Sequence, residues 1–213
     1  MQNYGKLERK INKKRRKGEK MEKLKAKDLI TIGIFTVLLY AISLIVAFIG
    51  FTPLSSMFAS PLYALLAGPV FMLYIMKVKK PLAITITGIF CALLCFVSFA
   101  NPIMAIIALV CFVISDFIAS RGKYNSLKMN TVSYLVFSLW SIALNGGYWY
   151  MQDFMVEMSL SYGMEQAWLD KMVELATPLN FILMTVGTLI CAYIGVIFAK
   201  VLFKKHFKKA GII

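Results

Sequence analysis

Charge is what this sequence has least of: Asp, Glu, Lys and Arg make up 16% of 213 residues, against 60% for the hydrophobic set. A soluble domain of this length needs far more polar surface to cover its core. The scarcity therefore excludes one and leaves apolar area to face lipid. Histidine is down to a single residue, His206, which sits in a basic tail. That removes histidine-based metal motifs and Ser/His nucleophile arrangements. Paired acids inside the apolar runs are missing, and so is a glycine-rich phosphate loop ending in Lys-Ser or Lys-Thr. The chain is expected not to be an enzyme, nor to hydrolyse ATP by itself. Cysteine is sparse, and Cys91, Cys95, Cys111 and Cys191 all lie in apolar stretches. They read as small hydrophobes with no disulfide framework; Cys91 and Cys95 share a helix face, which alone makes no metal site.

What is present is a series of apolar runs, over about 29–51, 61–76, 81–100, 102–120, 129–151 and 178–203. A span needs roughly 20 residues, because a helix rises about 1.5 Å per residue through about 30 Å of hydrocarbon. Five runs reach that length, and the second is short and has Gly68-Pro69 inside it, a mark of kinking or tight packing. The first run is too long for a signal peptide's apolar core of about 7–15 residues, so it reads as a retained helix. The fold class expected is an all-α integral membrane protein, a six-transmembrane-helix bundle occupying 28–206. A basic, flexible tail over 1–27 precedes it and a short tail over 207–213 follows.

The formal charge of +14 at first suggests nucleic acid, but its distribution points to topology instead. Twelve Lys and Arg precede Asp28, three lie in Lys77–Lys80, three in Arg121–Lys128 and five in Lys200–Lys209. Six spans put those 23 on the same side as both termini, and only Lys171 on the other. The positive-inside rule makes that side cytoplasmic. The bacterial cell membrane is the expected location, with the lipid bilayer as the partner of the basic tail and no nucleic acid bound. The outer loop 152–177 is then acidic. Within it Met164, Trp168, Met172 and Leu175 repeat at helical spacing, which predicts an amphipathic helix that is either an interfacial cap or a lid.

An ordered set of local motifs carries a family resemblance. Lys-Ala-Lys-Asp leads into Leu29–Thr36; Leu-Leu-Ala-Gly-Pro-Val-Phe-Met-Leu spans Leu65–Leu73 and is followed by Lys77–Lys80. Gly122–Ser126, Phe137–Trp140 and the ending Leu202–Ile212 complete it. From about Lys25 to its C-terminus the chain resembles the Trep_Strep, or MptD-type, S components of energy-coupling factor (ECF) transporters. The resemblance implies a substrate-binding membrane subunit of an ABC importer. Such a subunit captures a vitamin-like or porphyrin-type micronutrient at the outer face, haem being one candidate. Its implied partners are a membrane scaffold (T) subunit and two cytoplasmic ATPases, and it is thought to topple in the membrane to release its load. The alternative is an autonomous secondary transporter or channel, which normally needs ionisable groups near the midplane. Asp116 alone comes close.

S components dock on the scaffold through small residues spaced by four on the first helix, because small residues let helices approach closely. The candidates are Gly33 and Ala41, interrupted by Val37, and Ser43 with Ala47; ordinary bundle packing is the other reading. Substrate-binding candidates gather at the outer ends of helices three to five: Asn101, Asn145, Tyr148, Trp149, Gln152 and Asp153. Amides with aromatic faces suit a flat conjugated ligand, although Trp and Tyr at that level also form an interfacial belt. No cofactor is expected, and haem enters only as a transported ligand. Asp116 reads as an acid paired with a basic loop, five residues before Arg121, or as a contact that changes when the subunit moves.

Overall fold

Lipid leaves the backbone no solvent partner, so each apolar run must satisfy its own N–H and C=O groups as helix. The computed structural model describes residues 24–99 and 102–207. Asn101 and most of the basic tail lie outside the described residues, and so does the side chain of Asn145. The helices are α1 (Ala26–Ile49), α2 (Pro53–Met57), α3 (Ala59–Val78), α4 (Ala83–Phe99) and α5 (Pro102–Arg121). They continue with α6 (Leu127–Ser138), α7 (Ile142–Tyr150), α8 (Gln152–Ser161), α9 (Gln166–Leu175) and α10 (Pro178–Phe207).

Among the described residues four helices are long and apolar enough to cross a membrane: Ala26–Ile49, Ala59–Val78, Ile103–Arg121 and Pro178–Lys204. Large apolar side chains such as Ile30, Val37, Phe48 and Val201 are exposed on their outer faces, as lipid requires. The second run, expected to be short, reaches 20 residues because Ala59 and Ser60 extend it backwards and Lys77 and Val78 forwards. The α4 helix has 17 residues, shorter than those four. The run expected as one helix over 129–151 is divided into α6, a 3₁₀ turn at Leu139–Ser141 and α7. Its cause is local: Ser138 donates to the Leu135 carbonyl and Ser141 to the Ser138 carbonyl, competition that tightens and bends a helix.

The α3 helix is central, packed against α10, α1 and α6. Gly68 accounts for its closeness to α10. A Cβ there would stand 2.8 Å from the Gly195 carbonyl carbon, and one on Gly195 would stand 2.7 Å from the Leu65 carbonyl oxygen. Around this crossing the rings of Phe71, Phe112, Tyr134, Phe137 and Trp140 form one buried cluster, with Phe71 and Phe137 centroids 4.4 Å apart. Ser115 and Ser133 exchange hydrogen bonds between α5 and α6, each hydroxyl also reaching the other's carbonyl. Short residues and shared hydroxyls replace the hydrophobic drive that lipid removes.

The end of the bundle bearing Lys77–Lys80 and Arg121 is fastened by polar contacts. Lys80 pairs with Asp28 at 2.7 Å, and Asp28 also accepts from the Lys25 N–H, closing the start of α1. Buried Asp116 accepts from the Thr85 hydroxyl at 2.7 Å, the Thr85 N–H and the Tyr124 hydroxyl. Arg121, at the start of that basic loop, lies over the Phe117 ring, 4.5 Å from its centroid. The acid thus joins the basic loop through a phenol rather than a cation. Burial and then the Asp116 carboxylate push the Tyr124 phenol well above its ordinary range, so it remains a donor at neutral pH. Removing the carboxylate takes the acceptor from both part-buried Thr85 donors and leaves the Tyr124 hydroxyl only backbone oxygen, and a buried donor left unpaired costs about 1–3 kcal/mol. Asp116→Ala should therefore lower the thermal midpoint in detergent clearly more than Tyr124→Phe, which loses one bond; equal midpoints would contradict this.

Candidate functional site

At the opposite end of the bundle, the segment that follows α1 folds back over the helices. Thr52 caps α2, its hydroxyl accepting from the Ser55 N–H at 3.1 Å, and Pro53 supplies the first helical turn. The α9 helix lies against α2 with Leu169 and Met172 fully buried. Trp168 donates its indole N–H to the Phe51 carbonyl at 3.0 Å, and the Ser56 hydroxyl approaches the Met172 sulfur at 3.2 Å. The spacing that predicted an amphipathic helix over this stretch is realised as a cap fixed by both packing and hydrogen bonds.

Beneath the cap lies a cavity of about 220 Å³. Ser43, Val46, Ala47 and Gly50 of α1 and its end form one wall, and Ser56, Ala59, Ser60 and Tyr63 form another. Ser141 of the 3₁₀ turn contributes the floor, and Met164 and Trp168 close the top. The break in the fifth run lies against α3 here, where the Ser60 hydroxyl donates to the Ser141 carbonyl at 2.9 Å. Tyr63 is held edge-on to Trp140 and accepts its indole N–H at 3.2 Å. None of these lining residues carries a charge at neutral pH. An open apolar groove lined by Leu44, Phe48 and Phe51 adjoins the cavity and shares Ala47, Gly50, Met164 and Trp168 with it.

The residues singled out from sequence fall in several places. Tyr148 is buried against α8 and shares a hydrogen bond with Ser159 at 2.8 Å. Trp149 donates to the Thr177 carbonyl at 2.7 Å and packs on Phe181, tying α7 to the start of α10. Gly147 lets α7 pack closely on α8, since a Cβ there would come within 2.7 Å of Met155. Gln152 and Asp153 line a separate shallow groove between α8 and α9. Of the first-helix residues, Ser43 and Ala47 face the cavity, whereas Gly33 has open space around it and Ala41 is half-buried. The hydroxyls of Ser56, Ser60 and Ser141 went unnoticed in the sequence; their signal was polar side chains at one membrane level amid apolar neighbours. Among the described residues no group of three or more His, Cys, Asp or Glu side chains could hold a metal ion.

The family model for hypothetical bacterial integral membrane proteins of the Trep_Strep type matches residues 26–209. The chain belongs to the Trep_Strep family. No curated protein and no solved structure matches it. Its matched region takes in all the helices from α1 to α10, so the capped cavity lies wholly within the Trep_Strep part of the chain. Residues before Ala26 stand outside the match, as does most of the basic lead.

Proposed function

We propose that this Trep_Strep protein is the substrate-binding membrane subunit of an ECF-type importer. In this reading six segments cross the membrane: α1, α3, α4, α5, the bent α6–α7 rod, and α10. Both termini and the loops at Lys77–Lys80 and Arg121–Lys128 are cytoplasmic, because that arrangement keeps 23 of 24 basic residues inside. The single observation that carries the function is the capped cavity at the end away from the basic clusters. A small-molecule-sized chamber at the outer face with a helix fastened over it is what capture requires. A channel needs a continuous polar path, and the lining described above has none at the midplane.

The cavity's size also narrows the substrate. Drug-sized ligands occupy about 300–1,000 Å³, so about 220 Å³ suits a compact vitamin-like molecule better than a porphyrin. Energy for release would come from partners, a scaffold subunit and two ATPases. Gly33 and Ala41, set away from the cavity on α1, remain candidates for that contact.

Two experiments bear on this reading. Tagged protein isolated in mild detergent from its own bacterium should bring down a membrane scaffold and two ATPases, and uptake should require ATP hydrolysis. Gradient-driven uptake by the chain alone in proteoliposomes would contradict it. For topology, single cysteines at Asn125 and Glu165, both exposed, are placed in a cysteine-free background. An impermeant thiol reagent applied to intact cells should label the Glu165 position and leave the Asn125 position unmodified; the reverse pattern would invert the orientation.

A further inference from the structure

Given the capture reading above, the cavity's hydrogen-bonding inventory assigns a ligand class. The Ser43 hydroxyl donates to the Tyr40 carbonyl at 2.7 Å, Ser60 to Ser141 at 2.9 Å, and Ser141 to Ser138 at 2.8 Å. Ser56 donates to the Pro53 carbonyl at 2.7 Å, and the Trp168 N–H is held by Phe51. Each of these protons already has an acceptor inside the protein, so what the serine oxygens present to the chamber is lone pairs. A bound carboxylate or phosphate would find no cation in the lining, and no free donor among the serines and Trp168. A bound ammonium would find no carboxylate, and burying an unpaired charge is prohibitive.

The second observation is the groove beside the chamber. It is apolar, and Phe48 and Phe51 are among the most exposed large side chains in the protein. It opens on the outward side of α1, the side that faces lipid, and shares its inner wall with the chamber. Charged and strongly hydrated molecules gain nothing from such an approach, whereas a molecule dissolved in the outer leaflet meets apolar surface throughout. We infer that the ligand is an uncharged, membrane-partitioning molecule carrying at least one hydroxyl or N–H donor. It enters sideways between α1 and α9, with its donor on the serine oxygens and its apolar part along Phe48 and Phe51.

The test is equilibrium retention of four matched probes by the full-length protein in nanodiscs, measured against empty nanodiscs. Farnesol has a neutral donor, farnesyl methyl ether has none, farnesoic acid supplies an anion and farnesylamine a cation. Farnesol should be retained at least tenfold more strongly than either charged probe and several-fold more than the ether. Ala47→Phe, which projects a ring into both groove and chamber from a lipid-exposed position, should abolish retention. Trp168→Ala, which removes the roof of the chamber and its bond to Phe51 from the α9 side, should reduce it as well. Retention of no probe, of all four alike, or chiefly of a charged one overturns the ligand class. A charged probe whose binding Ala47→Phe still abolishes would do so while leaving the capture site standing. Farnesol binding that survives both substitutions would instead show that the chamber is not the site.

Discussion

Gly195→Leu is expected to prevent accumulation of folded protein. At the α3–α10 crossing the backbones are nearly in contact: the added Cβ alone would lie 2.7 Å from the Leu65 oxygen and 3.1 Å from the Ala64 oxygen. These neighbours are main-chain atoms and cannot rotate away, so the helices themselves must separate. Overpacking a well-filled core costs about 1–3 kcal/mol even where side chains can adjust. Here separation would also pull apart the ring cluster around Phe71, and a membrane bundle has no compensating hydrophobic drive to close it again. Gly68→Leu meets Gly195 from the other side and should behave alike, whereas Gly33→Leu, with open space around it, should be tolerated. Size-exclusion profiles and thermal midpoints in detergent decide the matter. A monodisperse Gly195→Leu protein with an unshifted midpoint would show that the crossing is looser than described.

Trp168→Ala is expected to weaken ligand binding at least tenfold, which corresponds to about 1.4 kcal/mol. The indole does three things at once. It lines the chamber, hydrogen-bonds the Phe51 carbonyl, and packs near Tyr148 with ring centroids 6.4 Å apart. Its loss opens the roof and frees the start of α9, so the dissociation rate should rise more than the association rate falls. Hydrogen exchange should increase over Gln166–Leu175 and the neighbouring α2 in the same variant. Affinity within about twofold of wild type, with unchanged exchange, would mean that the cap contributes nothing to holding a ligand.

Much of this architecture was legible because lipid imposes simple rules. Apolar runs bounded by prolines and basic clusters marked the helices, and the spacing of Met164, Trp168 and Met172 marked the cap. Gly68-Pro69 announced a close approach, though not that Gly195 would be opposite. The rest depended on which way side chains face, which distance along a span does not reveal. Tyr148 and Trp149 stand at the membrane level expected of a binding site, yet their polar atoms meet Ser159 and Thr177. Ser43 and Ala47 fit a small-residue docking stripe in one dimension, and in three dimensions they face the chamber. The bend at Ser138–Ser141 was invisible for a related reason. Serine in an apolar run reads as a tolerated polar residue until its hydroxyl is seen to take a carbonyl from the helix ladder. The α8 helix escaped because only Met155 and Ser159 on it are buried, too few to set up a period.

The most direct test of the capped chamber as the capture site is to identify what co-purifies with the protein. Wild type, Ala47→Phe and Trp149→Phe would be purified in parallel and their small-molecule extracts compared by mass spectrometry. The account predicts one compound near stoichiometric with wild type, retained by Trp149→Phe and lost from Ala47→Phe although that variant elutes as a monodisperse folded protein. The same compound at undiminished level in Ala47→Phe, or its loss from Trp149→Phe alone, would place the site elsewhere and contradict the account.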